Sequence, residues 1–164
     1  MDLQHYTYLI CLLNKVIDEN TKIYVAFNHK MILDFLKDDI DLNIINIDHH
    51  HDLGYKYDGE MENPTCANWA RHLFEENKMK NYIWANNANS QMPLDIVADR
   101  LKSYNYIVED FNQLKDKIAN IKYEKVFICL SPEWVPPYCQ TLFFGLLDML
   151  NDKFNYHLEI HEGS

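Results

Sequence analysis

An α/β fold, a three-layer α/β/α sandwich around a mostly parallel sheet, is what this sequence predicts, and three observations predict it. Short β-rich runs at Lys22–Phe27, Leu42–Ile47, Tyr82–Ala85 and Glu124–Leu130 alternate with segments whose apolar residues recur at helical spacing. The 164 residues, 48% hydrophobic, suffice for one core and are too few for two large ones, so a single domain over 1–164 is expected. No repeat, low-complexity tract or linker interrupts the alternation.

Taken in order, Tyr6–Asp18 places Leu9, Leu12, Leu13, Val16 and Ile17 on one helical face, with a strand over Tyr6–Leu13 as the alternative. Lys22–Phe27 follows as a strand, and Asn28 is placed to cap a helix carrying Met31, Ile32, Phe35 and Leu36. Leu42–Ile47 reads as a strand buried on both faces, and the order strand, helix, strand implies that these two strands pair in parallel. Residues Leu53–Asn63 lack periodicity and read as a loop. Pro64 stands at the first position of a helix over Thr65–Asn77, with Trp69, Leu73 and Phe74 on one face. After the strand Tyr82–Ala85 come a polar stretch at Asn86–Ser90, a helix over Leu94–Leu101 and a short strand at Tyr104–Val108. A helix over Asp110–Ile121 then turns Leu114 and Ile118 inward. Beyond Glu124–Leu130, the prolines of Ser131–Pro137 forbid both helix and ladder and hold Glu133 in a rigid turn. A mostly apolar helix, Tyr138–Leu150, and a last strand, Tyr156–Ile160, complete the prediction.

Composition excludes several classes of function. A net charge of −10 disfavours nonspecific nucleic-acid binding and favours a cationic partner, either a small molecule or a peptide. The four cysteines, Cys11, Cys66, Cys129 and Cys139, form no Cys-x-x-Cys pair, so neither a zinc ribbon nor a dithiol redox motif is suggested. Met1–His5 has no basic region, and Asn14 and Lys15 interrupt the apolar run Tyr8–Leu13. Neither a signal peptide nor a membrane span is expected, and a cytoplasmic location follows.

The chemistry concentrates at Asp48-His49-His50-His51-Asp52, five ionisable residues that end the run Leu42–Ile47. With a strand's period of two, Asp48, His50 and Asp52 point one way and His49 and His51 the other. Two carboxylates and an imidazole suit Mn²⁺, Fe²⁺ or Zn²⁺, and a carboxylate between two ions holds them roughly 3.5–4 Å apart. His29 at one strand-to-helix junction and Glu133 at another strand exit fall at the same ends of the sheet as this cluster, where open α/β sheets carry their sites.

This cluster resembles the Asp-x-His-x-Asp motif of the arginase and agmatinase superfamily, whose fold of parallel strands binds two manganese ions. By position in the topology, His29 is similar to that family's upstream metal-binding histidine, although Val25-Ala26-Phe27-Asn28 lacks its glycines. Ser131-Pro132-Glu133 stands where the family carries an Asp-x-Asp. A closer resemblance is to the small branch that includes peptide arginases, which convert arginine side chains of a precursor peptide to ornithine. It rests on the Asp-x-His-x-Asp-Leu cluster, on Asn68-Trp69 followed by a strand with Trp84, and on Ser131-Pro132-Glu133-Trp134.

The resemblance implies a metal-dependent hydrolase in which a metal-activated hydroxide attacks a guanidinium carbon and releases urea. His29, Asp48 and Asp52 would hold one Mn²⁺, Asp48 and His50 would reach a second, and Glu133 would be a ligand or a partner of the guanidinium. His51 or His49 would donate the proton, and Asn68 would face substrate. Two rivals stand beside it. Asp48-His49-His50 is also similar to the signature of DHH-type phosphoesterases, but the upstream Asp39-Ile40-Asp41 is wrongly spaced from His29. Ser131, in place of a carboxylate, motivates a non-catalytic metal-binding protein of the same fold.

Overall fold

The computed structural model describes residues 3–54, 63–93, 99, 102, 105–130, 136–154 and 160–161. The expected helix Leu94–Leu101, most of the loop 53–63, the turn holding Ser131, Glu133 and Trp134, and residues 156–159 of the last strand lie outside the described residues, in whole or for the most part. The chain divides into two compact units, residues 1–28 with 116–164, and residues 29–115. Among the described residues the strands pair in parallel, forming two three-stranded sheets.

In the first unit, helix α1 (Leu3–Val16) buries Leu12, Leu13 and Val16, followed by Ile17, which confirms the helical spacing over the strand alternative. A turn follows in which Asp18 Oδ1 accepts the Asn20 amide at 2.9 Å. Strand β1 (Lys22–Ala26) is aligned at its start by two bonds. Thr21 Oγ1 donates to the Tyr123 carbonyl (2.9 Å) and the Lys22 amide to the Glu124 carbonyl (2.8 Å). These set β1 beside β5 (Lys125–Cys129), with Val25 opposite Ile128. On its other side β1 takes β6 (Ile160–His161). Helix α5 (Pro137–Phe154) opens on a proline, which lacks an N–H that the first turn would leave unpaired. Its Phe143 and Leu147 pack with Val25 and Leu130 in one cluster, while Phe144 on another face is 46% exposed. The helix thus buries one face and carries apolar side chains onto the other as well.

The second unit starts with a 3₁₀ turn (His29–Met31) leading into a four-residue helix, α2 (Ile32–Phe35), whose cap position is Met31 without a side-chain cap. The expected helix from an Asn28 cap is therefore shorter and starts later. Strand β2 (Leu42–Ile47) pairs with β3 (Met79–Asn86), and β3 with β4 (Tyr106–Asp110). The pairing of β1 with β2 expected from chain order is not what forms. β1 is the middle strand of its sheet with β5 and β6 on either side, so both of its ladders are taken. Nor is β2 buried throughout, since Ile47 is 44% exposed.

Helix α3 (Trp69–Glu75) makes the β2-to-β3 crossover. The predicted start near Thr65 gives way to Trp69 because the Asn68 side chain folds the preceding residues into a turn. Its Oδ1 accepts the Thr65 amide at 2.7 Å and its Nδ2 donates to the Asn63 carbonyl at 3.3 Å. The helix ends on Asn77 at φ 55°, a left-handed residue. There the Lys78 amide returns to the Leu73 carbonyl and the Asn77 amide to that of Phe74, both at 3.0 Å, which satisfies carbonyls the last turn would orphan. Trp69, Leu73 and Phe74 are buried as predicted, and the rings of Trp69 and Phe74 meet Tyr82 of β3 edge-on at 6.2 and 5.7 Å. Burying each such side chain contributes about 1.5–3 kcal/mol. β4 runs straight into α4 (Phe111–Ile118), capped by Asp110 Oδ1 accepting the Asn112 amide at 2.8 Å; Leu114 and Ile118 are buried, as expected. Among the described residues, no helix is long and apolar enough to cross a membrane.

Candidate metal centre

The ionisable cluster lies beyond the carboxyl end of β2, but it does not continue the strand. β2 stops at Ile47, and the Asp48 side chain then closes a turn, its Oδ1 accepting the His50 amide at 3.0 Å. The alternation expected for 48–52 is therefore replaced by an irregular loop in which Asp52 sits at φ 53°. This conformation is costly for a residue with a Cβ, about 1–3 kcal/mol. The loop compensates through its hydrogen bonds: the Asp52 carbonyl accepts the Ala70 amide (3.1 Å), and the Gly54 amide donates to Ala67 (2.8 Å).

This bend returns Asp52 to the position of Asp48, and His29 reaches both from the 3₁₀ turn after β1. His29 Nδ1 is 3.3 Å from Asp48 Oδ2 and 3.7 Å from Asp52 Oδ2. One ligand atom from each of these three residues lies within 4.8 Å of the others. Donors bound at about 2.1 Å to one divalent ion are about 3–4 Å apart, so the set fits a single ion of hard or borderline character. Asp48 faces two ways: Oδ2 is directed to His29, while Oδ1 is 3.8 Å from the His50 Nδ1.

A shell of buried donors holds the two aspartates. Trp69 Nε1 donates to Asp52 Oδ2 at 2.7 Å, and Asn46 Nδ2 donates to the same oxygen at 3.3 Å. Asn46 also donates to the Tyr82 hydroxyl (2.9 Å), which in turn donates to the His51 carbonyl (3.1 Å). Trp84 Nε1 donates to the Asp48 carbonyl at 3.0 Å. His51 is 1% exposed; its Nδ1 accepts the Leu53 amide at 3.1 Å, which places the ring proton on Nε2. His49 is exposed and its Nδ1 meets Asn87 Nδ2 at 3.2 Å.

Burial, and then the Asp48 charge, push the Asp52 carboxyl up to about 8, even though hydrogen bonds from Trp69 and Asn46 favour its ionised form. Burial lowers His29, with Asp48 opposing and His50 adding to the shift. Burial and the neighbouring His50 lower His51 to about 4, so its imidazole is neutral at pH 7. Burial, followed by the Asp52 charge, raises the Tyr82 hydroxyl well above its usual value.

Of the residues singled out in the sequence, His29, Asp48 and Asp52 are thus brought together, and His50 stands at the far oxygen of Asp48. Asn68 is buried and makes its hydrogen bonds within residues 63–68. Glu133 lies outside the described residues. Asn46, Tyr82 and the hydrogen bonds of Trp69 and Trp84 are part of the site without standing out in the sequence. One signal is present: Asn46 is a polar residue inside an apolar run, two residues before Asp48, and such a group needs partners where it is shielded from water. Comparison with models of protein families, with curated proteins and with solved structures found no match.

Proposed function

We propose that this protein is a metal-dependent hydrolase of a guanidinium C–N bond, converting arginine, free or within a peptide, to ornithine and urea. The carrying observation is the convergence of His29 with Asp48 and Asp52 from opposite ends of the segment 29–52, one ligand atom of each lying within 4.8 Å of the others. Mn²⁺ is the ion this reading assigns, in one or two positions. His29, Asp48 and Asp52 would hold the first, and Asp48 and His50 would reach the second. The finer fold goes with the reading, a three-layer α/β/α sandwich of the arginase type.

Bound there, a divalent ion supplies the charge that draws a proton from water near neutral pH. The chain's own residues do the rest. Asp48 adds negative charge that attracts a guanidinium, in keeping with the net charge of −10. Of the two histidines expected as proton donors, His51 is buried and neutral, with Nδ1 engaged by the turn. His49 is exposed, its Nδ1 3.2 Å from Asn87 Nδ2, so in this reading His49 relays the proton lost by the attacking water to the departing amine while His51 keeps the loop in place. Attack of water on the guanidinium carbon and loss of that amine leave urea.

The test is urea release from arginine and from arginine-containing peptides with added Mn²⁺, alongside nitrophenol release from bis-nitrophenyl phosphate and a count of bound metal. Turnover of the guanidino substrate, lost in His50→Ala and Asp52→Ala variants that still fold, is expected. Phosphodiester cleavage would favour the phosphoesterase reading. One held ion without any turnover would favour a non-catalytic metal-binding protein.

A further inference from the structure

Asp52 carries two donors on one oxygen. The indole Nε1 of Trp69 is 2.7 Å from Oδ2 and the amide of Asn46 is 3.3 Å from the same atom. Trp69 is itself fixed, because it is the first residue of α3, buried, and set edge-on against the ring of Tyr82. Asn46 is fixed by its second N–H, which goes to the Tyr82 hydroxyl, and that hydroxyl is tied to the His51 carbonyl. The backbone of Asp52 is held in its left-handed conformation by the amide of Ala70, the residue after Trp69. One end of one helix therefore fixes both the main chain and the side chain of this carboxylate.

From this geometry we propose that Trp69, assisted by Asn46, is the positioning residue for Asp52: it pins Oδ2 so that the carboxylate presents a fixed set of lone pairs to a divalent cation shared with His29 and Asp48. The proposal rests on the metal-site reading above and deepens it. Donors behind a metal-binding carboxylate set its orientation and the donor strength of its oxygens, and their loss typically weakens binding by about 10- to 100-fold. A phenylalanine keeps an aromatic ring at this buried position, though a smaller one, and has no N–H to donate, so the loss at the metal adds to the loss in packing.

The experiment compares wild type, Trp69→Phe and Asn46→Val in the full chain. It uses Mn²⁺ titration by calorimetry, the Mn²⁺ electron paramagnetic resonance spectrum of each loaded protein, and urea unfolding in chelator. The expected result is Mn²⁺ binding about 10- to 100-fold weaker in Trp69→Phe, a smaller loss in Asn46→Val, and altered zero-field splitting in both. A merely structural role would lower stability in chelator and leave the spectrum of the bound ion unchanged. Wild-type affinity and an unchanged spectrum in Trp69→Phe, with the wild type binding Mn²⁺, would overturn the positioning role and leave the metal site standing. If Trp69→Phe does not fold, Asn46→Val decides by the same two readouts. A wild-type protein that binds no Mn²⁺ would overturn the metal-site reading and the positioning role with it.

Discussion

Replacing Asp52 by asparagine is expected to stabilise the metal-free protein at mildly alkaline pH while removing its capacity to bind Mn²⁺. The asparagine oxygen can accept the same bonds from Trp69 and Asn46, so the substitution removes one negative charge and little else. In the folded wild type the Asp52 carboxyl is held up to about 8, against 3.8 for an ordinary aspartate. A raised acid keeps its proton in the folded state after the unfolded chain has lost it. Stability is therefore undiminished below about 4 and falls as pH rises toward about 8. Four pH units correspond to a cost of about 5 kcal/mol at most. Urea unfolding in chelator between pH 5 and pH 8.5 measures it. The advantage of Asp52→Asn should grow by about 1 kcal/mol for each pH unit and shrink toward zero near pH 4. Adding Mn²⁺ at about a hundredfold excess over Kd stabilises the wild type by about 2.7 kcal/mol and leaves the variant unmoved. An advantage that does not vary with pH, or a wild type that is the more stable at pH 8 without metal, would refute the argument that the two carboxylates repel in a buried site.

Three further outcomes test the surroundings of the site. Tyr82→Phe leaves the buried His51 carbonyl without its donor and removes an acceptor from Asn46, so a loss of about 1–3 kcal/mol is expected in denaturant unfolding. Trp84→Phe removes the N–H that holds the Asp48 carbonyl, and calorimetry should show weaker Mn²⁺ binding with stability reduced by about 1–2 kcal/mol. Asn77→Gly keeps the left-handed end of α3 and should change the melting temperature little, whereas Asn77→Val at φ 55° should cost about 1–3 kcal/mol.

Local pattern was enough for the elements whose buried face repeats along the chain. Leu12, Leu13 and Val16 in α1, Trp69, Leu73 and Phe74 in α3, and Leu114 and Ile118 in α4 are buried where helical spacing put them. It failed where a boundary depends on a side chain bonding to its own backbone. Asn68 delays the start of α3, and Asp48 ends the period of two that would have continued β2. Strand partnership was likewise out of reach, since nothing in β1 or β2 alone says that β1 is already flanked on both sides.

For the candidate site, the residue types were readable as they stood: a histidine one strand-to-helix junction before a run of carboxylates and imidazoles has the donor chemistry of a cation site wherever it folds. Their arrangement was decided in three dimensions. Asp52 returns to Asp48 through a left-handed residue held by an amide from α3 and by an indole and a strand asparagine, and His29 meets them from a separate turn. The reason is physical: a donor set is a property of side-chain chemistry, which the sequence spells out, whereas converging on one point depends on long-range hydrogen bonds and packing that exist only after α3 has closed over β3.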